Sequence, residues 1–172
     1  RSAFPVLSES KAGFVFTHGD PTGVDDNTVG GVDFQYKNST KYAGTLFADF
    51  AYLRSFDSAR GGDQFASTEI AYRGSKWAWT TRFENVGENY SPRLGFANRT
   101  GIRKYHVNAF HTLRPNTGPI RALETGTFAL VVTDLDDKRL DSEFGGWIFG
   151  ETRIGDKASL HIFKGYHDSE DP

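Results

Sequence analysis

The sequence predicts an all-β fold, an antiparallel meander of about eight to nine long strands. Aromatic residues make up 15% of the chain, with 19 glycines and only 6 prolines, a composition suited to pleated sheet and tight turns. Apolar and polar side chains alternate with period two through most of the length, the signature of strands with two unlike faces. No stretch sustains apolar positions at i, i+3, i+4 and i+7 over three turns, so no amphipathic helix is expected. A length of 172 residues suits one domain, taken here as 1–172.

The first strand expected is Ala12 to His18, stopped by Gly19, Pro21 and Gly23, strong turn residues. From Val29 to Lys37, Val32, Phe34 and Tyr36 share one face and Asp33, Gln35 and Lys37 the other. Tyr42 to Arg54 repeats the pattern over a longer run. Tyr42, Leu46, Ala48, Phe50 and Tyr52 oppose Thr45, Asp49 and Ser55, with Phe47 and Leu53 blurring the polar side. After the Ser58 to Asp63 turn, Phe65 to Arg73 and Trp77 to Glu84 form a hairpin around Gly74-Ser75-Lys76. Trp77, Trp79, Thr81 and Phe83 lie opposite Thr80, Arg82 and Glu84. Val86 to Gly101, containing Pro92 and three glycines, reads as a loop. Ile102 to Leu113, Leu123 to Thr133, Phe144 to Arg153 and Lys157 to Tyr166 complete the strands, with a charged turn at Asp134 to Asp141.

Composition removes several classes. Twenty basic and 22 acidic residues give a formal charge of -2, no footprint for nucleic acid. With no cysteine, disulfides, thiolate metal sites and cysteine nucleophiles are excluded. No apolar run approaches the ~20 residues of a membrane-spanning helix. With no methionine, the chain reads as a processed product or a portion of a longer polypeptide.

Period-two alternation arises both in a soluble sandwich and in a membrane barrel, whose apolar face meets lipid. Alternation alone does not choose between them. Several strands are nearer the ~9–11 residues of membrane strands than the ~5–6 usual in soluble sheets. At roughly 20 residues per strand and turn, 172 residues give about eight strands, the size of the smallest outer-membrane barrels. Tyr36, Tyr52, Trp77 and Tyr90 fit interfacial girdles as well as they fit ordinary packing.

The motifs Thr17-His18-Gly19-Asp20-Pro21-Thr22-Gly23, Asn27-Thr28, Gly31-Val32-Asp33-Phe34-Gln35-Tyr36 and Asn89 to Arg103 follow in order over about half of the chain. This series resembles a bacterial family of large exported proteins, in which a carbohydrate-binding-like (family 9) domain precedes a domain of unassigned function that looks like an outer-membrane β-barrel. The resemblance implies a place in the outer membrane of a Gram-negative bacterium, as part of a barrel completed by remaining barrel segments or partner chains. The carbohydrate-binding-like domain is absent from this sequence, so no saccharide-binding residue is carried over. After about His111 only strand texture matches.

The expected function is a structural, passage or binding role in such a barrel, for saccharides or peptides. The residues expected to line a lumen or bind are Asp33, Gln35, Lys37, Asp49, Glu69, Arg73, Arg82 and Glu84. The loop motif of interest comprises Pro92, Arg93, Gly95, Phe96, Asn98 and Arg99; its alternative role is a structural connector. Other readings are a soluble carbohydrate-binding module with Trp77, Trp79 and Trp147 stacking on sugar rings, or part of a glycan-acting enzyme using Glu69, Glu84, Glu88 or Glu151. No Gly-x-Ser-x-Gly elbow occurs and no catalytic residue stands out. Spacing puts His106 and His111 on opposite faces of a strand and His161 and His167 on the same face. Neither these histidines nor the acidic turns at Asp20, Asp25 and Asp26 or at Asp134, Asp136, Asp137 and Asp141 form a dedicated metal site. No metal or cofactor is expected.

Overall fold

Where alternation runs without interruption, pleating sends successive side chains to opposite faces, and antiparallel pairing puts directly opposed residues on the same face. The computed structural model, which describes residues 2–21, 23, 26–95 and 97–168, builds ten strands on this rule. They are β1 (Ser2–Pro5), β2 (Lys11–His18), β3 (Asn27–Tyr42), β4 (Gly44–Asp57), β5 (Gly61–Gly74), β6 (Trp77–Val86), β7 (Ile102–Leu113), β8 (Ile120–Asp134), β9 (Arg139–Thr152) and β10 (Lys157–His167). They form one antiparallel sheet in the order of the chain, each strand pairing only with its sequence neighbours. The described residues contain no helix. The sheet is open: β1 and β10 are its two edges and do not pair with each other.

The all-β meander is therefore as expected, with ten strands in place of eight to nine. The added one is β1, whose four residues are too few to show a period. Most strands also run longer than expected, the largest extensions being at the end of β3 and the start of β9. Tyr42 closes β3, after a register shift between Asn38 and Tyr42. The strand expected from Phe144 starts at Arg139, because Asp141 and Glu143 share a face with the polar residues of earlier strands, so charge there does not oppose pairing.

The register divides the sheet into two unlike faces. On the first, Lys11, Gln35, Asp49, Glu69, Arg82 and His106 lie directly opposite one another across β2 to β7. On the second, Phe34, Phe50, Thr68, Phe83, Tyr105 and Val131 form the neighbouring row across β3 to β8. We call these the inner and outer faces. The inner face is concave: Leu53 of β4 and His167 of β10 border one cavity of about 1000 Å³, although six strand spacings of ~4.8 Å separate those strands along a flat sheet.

Buried apolar packing sits at one end of the inner face, where Val86, Tyr90, Ile102, Val132 and Leu140 gather against Leu53, Phe65, Ala97 and Leu130. Gly31 permits the neighbouring strand to come close there, since a Cβ at this position would collide with the Tyr52 carbonyl and the Leu53 side chain. Backbone cannot yield as a flexible side chain does. Gly31→Val is therefore expected to destabilise the sheet by roughly 2 kcal/mol, seen as a lower urea midpoint with unchanged strand content by circular dichroism.

Candidate functional site

The eight residues expected to line a lumen or bind, Asp33, Gln35, Lys37, Asp49, Glu69, Arg73, Arg82 and Glu84, all occupy inner-face register positions on β3 to β6. Arg82 lies at their centre. Its guanidinium donates to Glu84 at 2.6 Å and lies 3.8 Å from Glu69, while Lys104 approaches Glu84 at 4.0 Å. Asp33 lies over Gly13, where a Cβ would meet its carboxylate. The Arg73 guanidinium stacks over the Phe47 ring at 5.2 Å, and Lys37 reaches Glu9 at 3.7 Å. Asp49 stands between Gln35 and Glu69.

The result is a hydrated, hydrogen-bonding surface of mixed sign. Arg82 bridges Glu69 and Glu84, so one guanidinium engages both carboxylates. Glu151 pairs with Arg121 at 3.2 Å on a strand remote from them.

The connection between β6 and β7 supplies the second part of the site. It turns inward at Gly87, whose amide donates to the Gln64 carbonyl at 2.9 Å. Asn89 then donates its amide to Asp63 at 3.0 Å, and Ser91 donates to the Ser55 hydroxyl at 3.1 Å. Asn27 donates to the Ser91 carbonyl at 2.7 Å and accepts from the Arg93 amide at 3.3 Å. The Arg93 side chain donates to Asp57 at 2.9 Å, an aspartate side chain that is fully covered and also accepts from Asn27 and from the Ala59 and Arg60 amides. Pro92 and Gly95 form a tight turn closed by a 2.7 Å hydrogen bond. Farther along, Arg99 donates to Asp141 at 2.7 Å, and Arg103, at the start of β7, pairs with Asp137.

The loop is thus a strap across the concave face, tied to β3, β4 and β5 on one side and to β9 on the other. Phe96 lies outside the described residues, and Asn98 lines the cavity beneath the strap. Tyr90 is no girdle residue: it is 5% exposed, packs on Phe65 with ring centroids 5.8 Å apart, and burial raises its phenol above the ordinary value.

Other expectations separate in space. Trp77 and Trp79 project from the outer face and Trp147 from the inner face, so the three cannot form one sugar-stacking platform. His106 and His111 fall on opposite faces, while His161 and His167 share the inner one; His167 pairs with Asp141. Asp134 accepts from the Asp136 and Lys138 amides at 2.9 and 2.8 Å, which makes its acidic turn a self-capped bend. Asp25 lies outside the described residues. No group of three or more His, Asp or Glu side chains among the described residues is placed to hold a metal ion.

Sequence reasoning missed the anchors Asn27, Ser55, Asp57 and Asp63. Their only trace is a run of polar residues at strand ends, which looks the same whether it faces water or a folded-in loop. It also missed the clamp at the opposite end, where Ser39 donates its amide and hydroxyl to Glu9 at 2.7 and 2.6 Å. Those two hydrogen bonds hold the Glu9 carboxyl below its usual range.

No protein-family model, curated protein or solved structure matches this chain.

Removing the Asp57 carboxylate takes partners from Asn27, Arg93 and two turn amides at once. In Asp57→Ala, trypsin is expected to cut after Arg93 and Arg99 about tenfold faster than in the parent, because the strap opens locally more often. Equal cleavage rates by mass spectrometry would show that the strap does not depend on this anchor.

Proposed function

We propose that this chain is part of an outer-membrane β-barrel, with the inner face lining a passage and the strap narrowing one end of it. The observation that carries the reading is the outer face. Five successive outward rows run from the one containing Phe34, Phe50 and Phe83 to the one containing Leu113, Leu123 and Gly150. At their paired positions from β3 to β9 they hold no Asp, Glu, Lys or Arg. Lys164, on the edge strand β10, is the one such residue at a paired position of β10 in these rows.

Large apolar side chains in these rows stand well exposed, among them Phe50 at 44%, Val107 at 48% and Ile162 at 69%. Outward arginines appear only beyond the band, as Arg54, Arg103 and Arg139 toward the strap end. Five rows extend roughly 27 Å along the strands, or roughly 20 Å in height at a tilt of about 40°, close to the ~25 Å apolar band of outer-membrane barrels. Trp77 and Trp79 lie toward the opposite end from the strap, Trp77 against His111 at 4.4 Å and Trp79 against Tyr72 at 6.4 Å, where amphipathic rings suit a membrane interface.

A single copy of a sheet with two open edges would leave the backbone groups of each edge unpaired in lipid. On this reading the edges are completed by further barrel strands or partner chains. The strand lengths of 10 to 16 residues from β3 to β10 are sufficient to cross.

Two adjacent residues of β7 test the assignment. Val107 points outward within the band, one row from its middle, and Asn108 inward. Val107→Arg is expected to weaken folding into lipid vesicles by about 2–4 kcal/mol, and Asn108→Arg by no more than ~0.5 kcal/mol. Equal tolerance of both, or a monodisperse sheet in buffer without lipid or detergent, would overturn the membrane reading in favour of a water-soluble module.

A further inference from the structure

The inner face is not uniformly polar. Across β7, β8 and β9, toward the end opposite the strap, it carries Phe110, Phe128, Trp147 and Phe149, all partly exposed. The Trp147 ring is the centre of this group, with centroids 6.3 Å from Phe110 and 6.4 Å from Phe128.

Its orientation follows from a glycine. Gly126 is the direct cross-strand partner of Trp147, and a Cβ there would run into the six-membered part of the indole. The ring therefore sits over Gly126 and fills the place of the missing side chain on the inner face. The indole N–H donates to Glu124 at 3.3 Å, and the second carboxylate oxygen accepts from Thr112 at 3.5 Å. Glu124 thus fixes the ring edge and keeps acceptor capacity beside it. His161 and Ser159 of β10 lie opposite Trp147 and Phe149.

We propose that this shelf binds a neutral oligosaccharide, a substrate class that rests on the reading of the inner face as a passage. A pyranose offers a flat C–H face for a flat ring and hydroxyl donors at its edge for a carboxylate. The shelf provides both, on the same inner face as the charged residues of β3 to β6. The Glu124 carboxylate disfavours an anionic ligand, and a wholly apolar ligand would desolvate it without filling its remaining acceptor sites. Ligand sites commonly combine aromatic walls with a few placed polar groups in this way.

The test uses the full chain folded in lipid vesicles, with Trp77→Phe and Trp79→Phe in the background so that Trp147 is the reporter. Maltohexaose and cellohexaose are titrated as neutral probes, and trigalacturonate as an anionic one. The expected result is a saturable change in Trp147 emission with at least one neutral probe and none with the anionic one.

Trp147→Ala, followed by calorimetry because the reporter is gone, is expected to weaken binding roughly tenfold. Trp147→Phe should restore part of that loss, and Glu124→Gln should weaken binding severalfold with the sheet signal intact. The proposal is overturned if neither neutral probe binds, if trigalacturonate binds as well as they do, or if Trp147→Ala binds as tightly as the parent. Quenching of Trp77 and Trp79 by brominated lipid in the parent chain separates the two readings. Quenching without sugar binding removes only the oligosaccharide, whereas sugar binding at Trp147 without quenching removes the membrane and leaves the site.

Discussion

A side-chain period of two, carried through nine consecutive antiparallel pairings, leaves each residue of the sheet only two places to go. A one-residue slip at any pairing would exchange the faces of every strand beyond it. The register shifts lie toward strand ends, between Asn38 and Tyr42 in β3 and at the two ends of β8. Through the middle of the sheet parity is kept, so Arg82 in β6 and Glu143 in β9 reach the same interior. Everything functional here follows from that parity: the charged rows, the aromatic shelf, and the apolar exterior.

Parity is also why so much of the fold was legible. Val32, Phe34 and Tyr36 against Asp33, Gln35 and Lys37 need only alternation to be separated, and the observed register separates them so. What alternation does not reveal is which face is concave, or how strands far apart in sequence combine. Phe110, Phe128 and Trp147 were unremarkable singly; they become a shelf only when β7, β8 and β9 are in register around Gly126. The strap was legible as an irregular loop with clustered arginines, but its anchors were not. Asn27, Ser55 and Asp57 are ordinary polar strand-end residues until a loop from some sixty or thirty positions away lies on them. Tyr90 stays open between girdle and packing for the same reason, since an aromatic in a loop carries no sign of whether the loop folds in or out.

The strap also resolves a problem of packing. A single sheet layer has no second layer to bury its face, and the inner surface of β3 to β6 is too polar to form a core. The loop after Val86 supplies the missing cover at one end, placing Tyr90 and Ala97 over Val86, Ile102 and Val132. Its backbone and arginine side chains find their partners in Ser55, Asp57, Asp63 and Asp141, so a buried loop is tolerated because its polar groups are paired. The cluster is small, which leaves most large apolar side chains of the sheet on the outside.

That imbalance argues from energy for the same setting as the pattern does. Water-soluble proteins do leave apolar atoms on their surface, but not continuous bands of Phe, Trp, Tyr, Ile and Val across seven strands. The edges point the same way. β1 is short and ends in Pro5, both ordinary protections of a free edge. β10 is eleven residues long and exposed along its whole length, with Leu160 and Ile162 outward, Phe163 inward, and no proline. In water such an edge would recruit another strand by its free backbone groups alone. The outer band and the β10 edge both fit the proposed barrel wall, with lipid on the face and another strand alongside.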